Sequence, residues 1–323
     1  MDKFVLRIPA RSVAATVYGQ AKKTTLTIYN LIKMSETDLT ENEILSSIAK
    51  FKSLKLLSYT NENVLDYLKY FDSQYLQCFS NGVFPLLTQK HILFDSYFRF
   101  RKFDEIKDFS CTSTYSYPQK SGCNELRRAN LPGYPVFYCS QHPSTAILEM
   151  GKWNNNKKRY VVSKWTKQNK NETLLYMPTF PDQNQFHNSL DQIITQWIVD
   201  NDSYKKAIKR FVLFVGDELM REDDYSVSAC LSYKLLYEKN IDVISYPSSI
   251  DYKGINFAFS PTIIDKKILK LDRVYIVDIG DYRQITLFNV GIFNDDNVDW
   301  HNANSLSQDC DIITTFKNDF SIN

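Results

Sequence analysis

The chain has 323 residues, of which 43% are hydrophobic and 14% aromatic, so it can bury a sizeable core and is not disordered by composition. Its 39 basic and 37 acidic residues leave a formal net charge of +2. Because no overall basic field attracts nucleic acid, this composition disfavours a DNA- or RNA-binding protein.

The N-terminus and the cysteines indicate the compartment. Residues 1–20 contain neither a continuous apolar run nor a small-residue cleavage signal. No stretch reaches the roughly 18 unbroken apolar residues of a membrane span. The six cysteines are scattered, without a CxxC pair and without a histidine–cysteine cluster at zinc spacing. We therefore expect a soluble, cytoplasmic protein with reduced thiols and no metal site.

The N-terminal part of the chain predicts helices. Thr40 followed by Glu43 has the spacing of a capping box, in which each side chain satisfies the other residue's free backbone N–H. A second helix is predicted from near Asn61. The apolar residues at helical spacing are Ile44, Ile48 and Phe51 in the first helix, and Val64, Leu65 and Leu68 in the second. We predict a mainly helical region over residues 1–88, which packs on a main domain over residues 89–323 or binds a partner.

From His91 the sequence favours strands. Phe98-Arg99-Phe100-Arg101 alternates aromatic and basic residues, and on a strand this period of two places both arginines on one face. An ordinary amphipathic edge strand with solvated arginines satisfies the same pattern. The polar stretch 104–122 predicts a long loop, which either covers a ligand or runs over the surface.

The next segment combines two kinds of charged group. Arg127-Arg128 and Asn130 lead into a Pro-Gly turn and a short apolar strand with Tyr138, and Glu149 follows three apolar residues. An arginine suits a pyrophosphate, because its planar guanidinium forms bidentate hydrogen bonds. A lone carboxylate on a packed element suits a developing cation. Glu149 also fits a structural role, as the exposed residue after a buried turn.

The remaining residues predict an alternation of helices and strands. The predicted helices cover residues 188–199, 204–220 and 225–239, and the predicted strands cover residues 159–166, 172–177, 241–246, 255–259, 269–279 and 284–293. Trp197 is predicted to lie in the core. The tail after Asn294 is acidic and polar, and we expect it to be partly disordered.

Several common kinds of site are not indicated. Ser248 follows a proline at a strand end, without the G-x-S-x-G elbow of a hydrolase nucleophile. Each of the four histidines is interpreted as structural or exposed. The nine glycines form neither a P-loop nor a GxGxxG motif, which disfavours both classes of nucleotide site.

Taken in order, the motifs resemble the RES domain family, the toxin domain of bacterial toxin–antitoxin pairs. The shared pattern begins at the aromatic-Arg-x-Arg strand and continues through Arg128-Ala-Asn130, Tyr138, Thr145-Ala-x-x-Glu149, Pro247-Ser248-Ser249 and Gly254-x-Asn256. The resemblance covers residues 94–261, about half of the chain. Arg127 departs from it, because the family has a glycine before the key arginine, and we expect the local turn or the loop covering the site to differ there.

The resemblance implies an α+β fold, namely a RES/ADP-ribosyltransferase-like mixed β core with flanking helices, preceded by the small helical N-terminal region. It implies an enzyme that uses NAD⁺ as its substrate, without a bound cofactor or metal. Such an enzyme cleaves the nicotinamide–ribose bond as a glycohydrolase or phosphorylase and depletes cellular NAD⁺. The alternatives are a mono-ADP-ribosyltransferase acting on a protein and a catalytically silent module that binds a nucleotide or a partner.

The resemblance also implies roles for residues of this sequence. Glu149 would stabilise the oxocarbenium-like ribose, as a carboxylate does in glycoside hydrolysis. Arg99 and Arg128 would hold the diphosphate, and Ser248 would hydrogen-bond the nicotinamide ribose or amide. Tyr138 would stack on the nicotinamide or close the pocket. Glu149, Arg99 and Ser248 are thus the catalytic candidates, and the substrate-binding candidates besides Arg128 and Tyr138 are Arg101, Asn130 and Asn256, with a structural role open for Asn256.

The resemblance implies a protein partner as well as NAD⁺. In the family, a helix-turn-helix antitoxin neutralises the toxin by covering the entrance of the site. We expect such an antitoxin here, with no direct binding of nucleic acid or membranes, and homo-oligomerisation is left open.

Overall fold

The computed structural model of the chain describes residues 5–7, 40–54, 56–60, 63–79, 94–149, 158–168, 174–179, 203–251, 254–280, 284–294, 297–308 and 310–320. These residues form one large sheet with helices packed mainly on one face, and the fold is α+β. The helix predicted over residues 188–199, with Trp197, lies outside the described residues.

Ten strands form the sheet in the described part of the chain: β1 (Val5–Arg7), β2 (Ser96–Lys102), β3 (Phe137–Ser140), β4 (Lys158–Lys167), β5 (Tyr176–Pro178), β6 (Val243–Pro247), β7 (Ile255–Phe259), β8 (Leu269–Ile279), β9 (Gln284–Asn294) and β10 (Asn297–Asn302). Their order is β1-β9-β8-β4-β2-β3-β7-β6-β5, with β10 paired to β9. Strands β5 and β6 are parallel, and the other paired strands are antiparallel. The sheet is therefore mixed, as expected.

The described α-helices are α1 (Glu41–Ser53), α2 (Val64–Cys78), α3 (Pro143–Glu149), α4 (Ser203–Met220), α5 (Ser226–Tyr233), α6 (Thr262–Asp265) and α7 (Asp311–Asp319). A π-helical turn, Lys234–Glu238, continues α5, which confirms the predicted helix over residues 225–239. The predicted loop over residues 104–122 contains short 3-10 turns. Among the described helices, none is both long and apolar enough to cross a membrane.

The capping box at the start of α1 is confirmed. The Glu43 amide donates to Thr40 Oγ1 at 3.3 Å, and the Thr40 amide donates to Glu43 Oε2 at 2.8 Å. The three apolar residues predicted for this helix are buried. Helix α2 begins at Val64 after an Asn63 cap, and its Leu65 is 51% exposed instead of buried, because the buried face passes through Leu68.

The sheet divides the apolar core into two sides. On one side, α1, α2, α4 and α5 pack over β3, β6 and β7, and α3 and α7 pack over β2, β4, β8 and β9. On the other side, α6 and the loop over residues 103–117 cover an aromatic cluster that includes Tyr97, Phe137 and Phe257. Helices α1 and α2 thus share one apolar cluster with α4 and α5 across the predicted boundary at residue 88, which itself stays a prediction.

Strand β2 is central, lying between β4 and β3, so the edge-strand interpretation is wrong. Its full length pairs with β4, whereas its pairing with β3 consists of Phe98 and Ser140 alone. Strand β3 instead pairs along its length with β7. Beyond Phe98, β2 and β3 are therefore not paired with each other, which leaves an opening between these two strands. Arg99 lies beside this opening.

The expectation of a partly disordered tail is wrong. Residues after Asn294 form β10 and α7, and the apolar side of α7 buries Ile313 and Phe316. Lys164 of β4 pairs with Asp319 at 2.6 Å, which anchors the helix to the sheet. Ile313 and Phe316 have the spacing of an amphipathic helix, so the helix was predictable from the apolar residues, and the acidic and polar composition of the tail gave the wrong expectation.

Candidate functional site

A tight turn presents the arginine pair. The Arg127 amide donates to the Asn130 carbonyl at 3.1 Å, and the Asn130 amide donates to the Arg127 carbonyl at 3.2 Å. The Tyr138 hydroxyl accepts from the Ala129 amide at 2.8 Å and donates to Asn130 Oδ1 at 3.0 Å. Asn130 is buried, and its Nδ2 donates to the Glu125 carbonyl at 3.1 Å. Both predicted substrate-binding residues, Tyr138 and Asn130, therefore fix the turn that carries Arg128.

The arginine at position 127 fits this turn without backbone strain. The non-glycine residues with a positive φ in the described part of the chain are Asn240 and Lys267, so Arg127 is not among them. Its side chain is exposed and pairs with Glu125 at 2.9 Å. The turn thus forms without the glycine of the family pattern. Relative to that pattern, Arg127 adds an exposed cation to the turn.

Arg128 is half-buried among groups from two helices and a strand. Its Nη1 donates to the Leu219 carbonyl in the last turn of α4, where backbone carbonyls lack helical partners. Its guanidinium lies 5.5 Å from the centroid of the Tyr225 ring and 6.0 Å from that of Tyr246. A carbonyl and two aromatic rings therefore surround the guanidinium.

Arg99 enters the opening between β2 and β3. Its Nη1 donates to the Tyr138 carbonyl at 3.0 Å, and its guanidinium lies 5.4 Å from the Phe137 ring centroid. Its Nε is buried and has no hydrogen-bond partner among the residues that the structure describes. Burial, reinforced by the charge of Arg101, lowers the pKa of Arg99 to about 10, so the side chain is still a cation at neutral pH. A partly desolvated cation with an unused donor favours an anionic ligand.

Arg101 lies on the same face of β2 as Arg99, as the alternation predicts, but it contacts other groups. Its Nη1 donates to the Thr114 carbonyl, and its Nε lies 3.9 Å from Glu105 Oε2. These contacts tie Arg101 to the loop after β2. The described contacts do not bring it to the arginine turn or to Glu149.

Glu149 ends α3, and its carboxylate is fixed from the sheet. Asn256 Nδ2 donates to Glu149 Oε1 at 2.7 Å, and Asn256 Oδ1 accepts from the Ser140 hydroxyl at 2.6 Å. Ser140 and Asn256 are directly opposite each other on β3 and β7. A cross-strand pair thus orients the carboxylate, and Asn256 does bridge strands beneath the candidate site.

The position of α3 depends on a close approach at Gly254. A Cβ atom at this position would lie 2.5 Å from Thr145 Cγ2 and 2.7 Å from Asp251 Oδ2. The Thr145 hydroxyl donates to Asp251 Oδ2 at 2.5 Å, which ties α3 to the turn before β7. The Gly-x-Asn motif therefore combines a glycine that admits α3 with the asparagine that holds Glu149.

Ser248 is fully buried in the same turn. Its hydroxyl oxygen accepts from the Asp251 amide at 2.9 Å and from the Ile250 amide at 3.3 Å. The Ser248 oxygen thus stabilises the turn by accepting these hydrogen bonds. Its hydroxyl proton can be donated to another group. Its proposed contact with the substrate stays a prediction.

Tyr246 is a site residue that the sequence reasoning did not single out. It is the partner of Asn256 across β6 and β7, and its ring faces the Arg128 guanidinium. Burial raises its pKa well above the ordinary value, and the charges of Arg128 and Glu149 act on it in opposite directions. Tyr246 thus lies within electrostatic range of both charged groups. The sequence predicted a strand over residues 241–246, but only the strand register places Tyr246 beside Asn256.

The chain was compared with protein families and with known proteins. The family model of the RES domain matches residues 107–273, just over half of the chain. The chain belongs to the RES domain family. The matched segment contains Arg128, Tyr138, Glu149 and the Ser248–Asn256 region, whereas Arg99 and Arg101 precede it.

Among solved structures, the RES chain is similar to the crystal structure of the M. tuberculosis MbcT–MbcA toxin–antitoxin complex. The similarity has 10% sequence identity and a TM-score of 0.37, and it covers 60% of this chain and 87% of that chain. No curated protein matches the RES chain significantly in sequence.

Proposed function

We propose that this RES protein cleaves the nicotinamide–ribose bond of NAD⁺ and acts as the toxin of a toxin–antitoxin pair. The observation that carries the proposal is the carboxylate of Glu149, held at 2.7 Å by Asn256, whose strand partner Tyr246 faces the Arg128 guanidinium. A carboxylate held in a fixed position is suited to stabilising a developing positive charge.

The proposed reaction places that charge on the ribose. The bond between the ribose C1″ and the nicotinamide nitrogen breaks, and its electron pair leaves with nicotinamide, which becomes neutral. The sugar passes through an oxocarbenium-like state that the Glu149 carboxylate stabilises. Water then adds to C1″ and releases a proton, giving ADP-ribose, or phosphate adds and gives ADP-ribose 1″-phosphate.

The two arginines supply the binding of the diphosphate. The buried Nε of Arg99 has no hydrogen-bond partner in the described part of the chain, and Arg128 is oriented by Leu219 and two tyrosine rings. Guanidinium groups bind phosphate oxygens with paired, charge-assisted hydrogen bonds. Because the diphosphate is remote from the bond that breaks, these contacts would bind the ground state and the transition state equally and so hold the substrate in the site.

An enzyme that consumes NAD⁺ harms the cell that makes it, so a neutralising partner is part of the proposal. We expect an antitoxin of the helix-turn-helix type that covers the site entrance, as the resemblance implies. Co-purification of the chain with the product of a neighbouring gene, and loss of NAD⁺ cleavage in that complex, would support this partner. Full activity in the complex would contradict it.

The central test is release of nicotinamide from NAD⁺ by the purified chain, with and without phosphate. Product analysis identifies water or phosphate as the acceptor, and labelled NAD⁺ that leaves its label on a protein identifies ADP-ribosyl transfer. We expect Glu149→Gln to remove the activity and Glu238→Gln, at an exposed carboxylate, to retain it. NAD⁺ binding without turnover by the wild-type protein would instead support a silent binding module.

A further inference from the structure

The partners of Arg128 lie at one corner of the helical layer. Residues 217–226 comprise the last turn of α4, the connection after it and the first residue of α5. This corner contains both Leu219, whose carbonyl accepts from Arg128, and Tyr225, whose ring lies against the guanidinium. The conformation of the corner therefore determines where Arg128 points.

A segment of the N-terminal region holds this corner. Within Leu56–Thr60, which we call the strap, the Ser58 hydroxyl donates to Asp224 Oδ2 at 2.9 Å. The Tyr59 amide donates to the Ser226 hydroxyl oxygen at 3.0 Å. These two bonds fix the residues on either side of Tyr225.

The carboxylate of Asp224 connects the strap to α5. Its Oδ1 accepts from the Ser226 amide at 2.8 Å, at the free N-terminal end of the helix. Burial raises the pKa of Asp224, but the hydrogen bonds from Ser226 and Ser58 outweigh burial and lower it overall. The group is thus an ionised acceptor at neutral pH.

The strap is itself anchored. The Tyr67 hydroxyl of α2 donates to the Leu57 carbonyl at 2.8 Å, and the Leu57 amide donates to the Tyr70 hydroxyl at 3.1 Å. Lys52, in the last turn of α1, pairs with Asp217 of α4 at 3.2 Å. The corner is consequently fastened to both N-terminal helices.

We propose that the strap, and Ser58 within it, is a positioning element for the diphosphate-binding arginine, acting through Asp224 and Tyr225. The inference rests on the proposed function, since it assigns Arg128 to the diphosphate. It gives a role to residues that precede the segment matched by the family model, 107–273.

The expected kinetic signature follows from where the strap acts. Without the Ser58 bond, the corner relaxes and the Tyr225 ring no longer restricts the guanidinium to one orientation. Ligands that carry a diphosphate then bind more weakly. Glu149 and its partner Asn256 are held by the sheet, so the chemical step at the ribose is unchanged. Loss of uniform binding raises KM and leaves kcat constant.

The test measures binding of ADP-ribose by calorimetry and NAD⁺ cleavage by nicotinamide release. Ser58→Ala should weaken ADP-ribose binding and raise KM by about threefold to tenfold, the range of one hydrogen bond, with kcat unchanged. Affinity for nicotinamide riboside, which lacks the diphosphate, should not change. Ser58→Thr keeps the hydroxyl and should restore binding. Ser73→Ala removes an exposed α2 hydroxyl that bonds the Tyr70 carbonyl, and serves as the matched control.

A double-mutant cycle separates positioning from general loosening of the fold. In an Arg128→Lys background, Ser58→Ala should cause no further loss, because the guanidinium that the strap positions is gone. An additive loss would overturn the inference, as would unchanged ADP-ribose binding by Ser58→Ala at an unchanged melting temperature.

Asp224→Asn provides a second variant at the same link and should behave like Ser58→Ala. A wild-type chain that does not bind ADP-ribose would overturn the proposed function together with the inference.

Discussion

At the scale of single residues, the candidate site depends on short polar side chains that hold longer ones. Asn256 uses both ends of its amide, one on Glu149 and the other on Ser140. Its neighbour Gly254 admits α3 by having no side chain. The Gly-x-Asn motif therefore sets the position of the carboxylate without itself supplying a charged group.

The first prediction concerns Asn256. We expect Asn256→Ala to lower kcat for NAD⁺ cleavage by roughly 10- to 100-fold, because a small misplacement of a catalytic group has effects of that size. KM should change little, since the diphosphate contacts remain. Steady-state kinetics of nicotinamide release measure both constants. Ser140→Ala removes only the support of Asn256 and should cause a smaller loss, so an equal loss in both variants would indicate general damage to the sheet.

The second prediction concerns Gly254. In Gly254→Ala the new methyl group would collide with Thr145, and overpacking of this kind destabilises a fold by about 1–3 kcal/mol. Denaturant unfolding measures the change in the free energy of unfolding. Gly122→Ala is the matched control, because its nearest neighbour would lie 4.0 Å away. Thr145→Ala should partly rescue Gly254→Ala, and an absence of rescue would argue against this contact as the cause.

At the scale of elements, the short helix α3 connects the sheet, the turn before β7 and the C-terminal helix. Its buried Ala146 and Ile147 pack in the same apolar cluster as Phe316 of α7. His142 directly precedes the helix and is influenced by the charges of Asp251 and Asp319. Conditions that disturb this junction should therefore affect the element that carries Glu149.

The third prediction is a dependence of stability on pH through His142. Burial lowers the pKa of His142 below its ordinary 6.5, although the charges of Asp251 and Asp319 oppose this. Between the two values the unfolded chain binds more protons than the folded one, so the free energy of unfolding falls as the pH falls through 6.5. Melting temperatures from pH 7.5 to 5.5 should decline less in His142→Asn than in the wild type. Parallel curves would contradict the assignment.

The helices and strands are largely predictable from the sequence, whereas the pairing of the strands is not. The strands and helices predicted over residues 204–220, 269–279 and 284–293 are present, and the period-two pattern of β2 and the helical spacing of α1 predicted these two elements, because apolar residues at those spacings are buried. The pairing of Ser140 with Asn256 joins residues more than a hundred positions apart, and that of Tyr246 with Asn256 depends on the register of β6 and β7, so neither leaves a pattern in the local sequence. For the same reason the pattern of β2 could not distinguish a central strand from an edge strand, and Arg101 could not be separated from Arg99.

At the scale of the whole molecule, the N-terminal helices are part of the main core. Phe51 of α1 lies 5.8 Å from the ring of Phe71 in α2 and 5.8 Å from that of Phe214 in α4. Helix α4 in turn carries the carbonyl of Leu219 that orients Arg128. The stability of α1 and the geometry of the arginine site are therefore linked through one packed helical layer.

The last prediction tests that link. Phe51 is 2% exposed, and replacing a buried phenylalanine by alanine costs about 3–5 kcal/mol. We expect Phe51→Ala to lower the midpoint of one cooperative transition that is shared by the whole chain, followed by both far-ultraviolet circular dichroism and tryptophan fluorescence. Leu65→Ala, at a 51% exposed position on α2, is the control and should change the midpoint little. If the helical region were independent, Phe51→Ala would instead separate the unfolding into two transitions, with fluorescence of Trp165 in the sheet unaffected by the first.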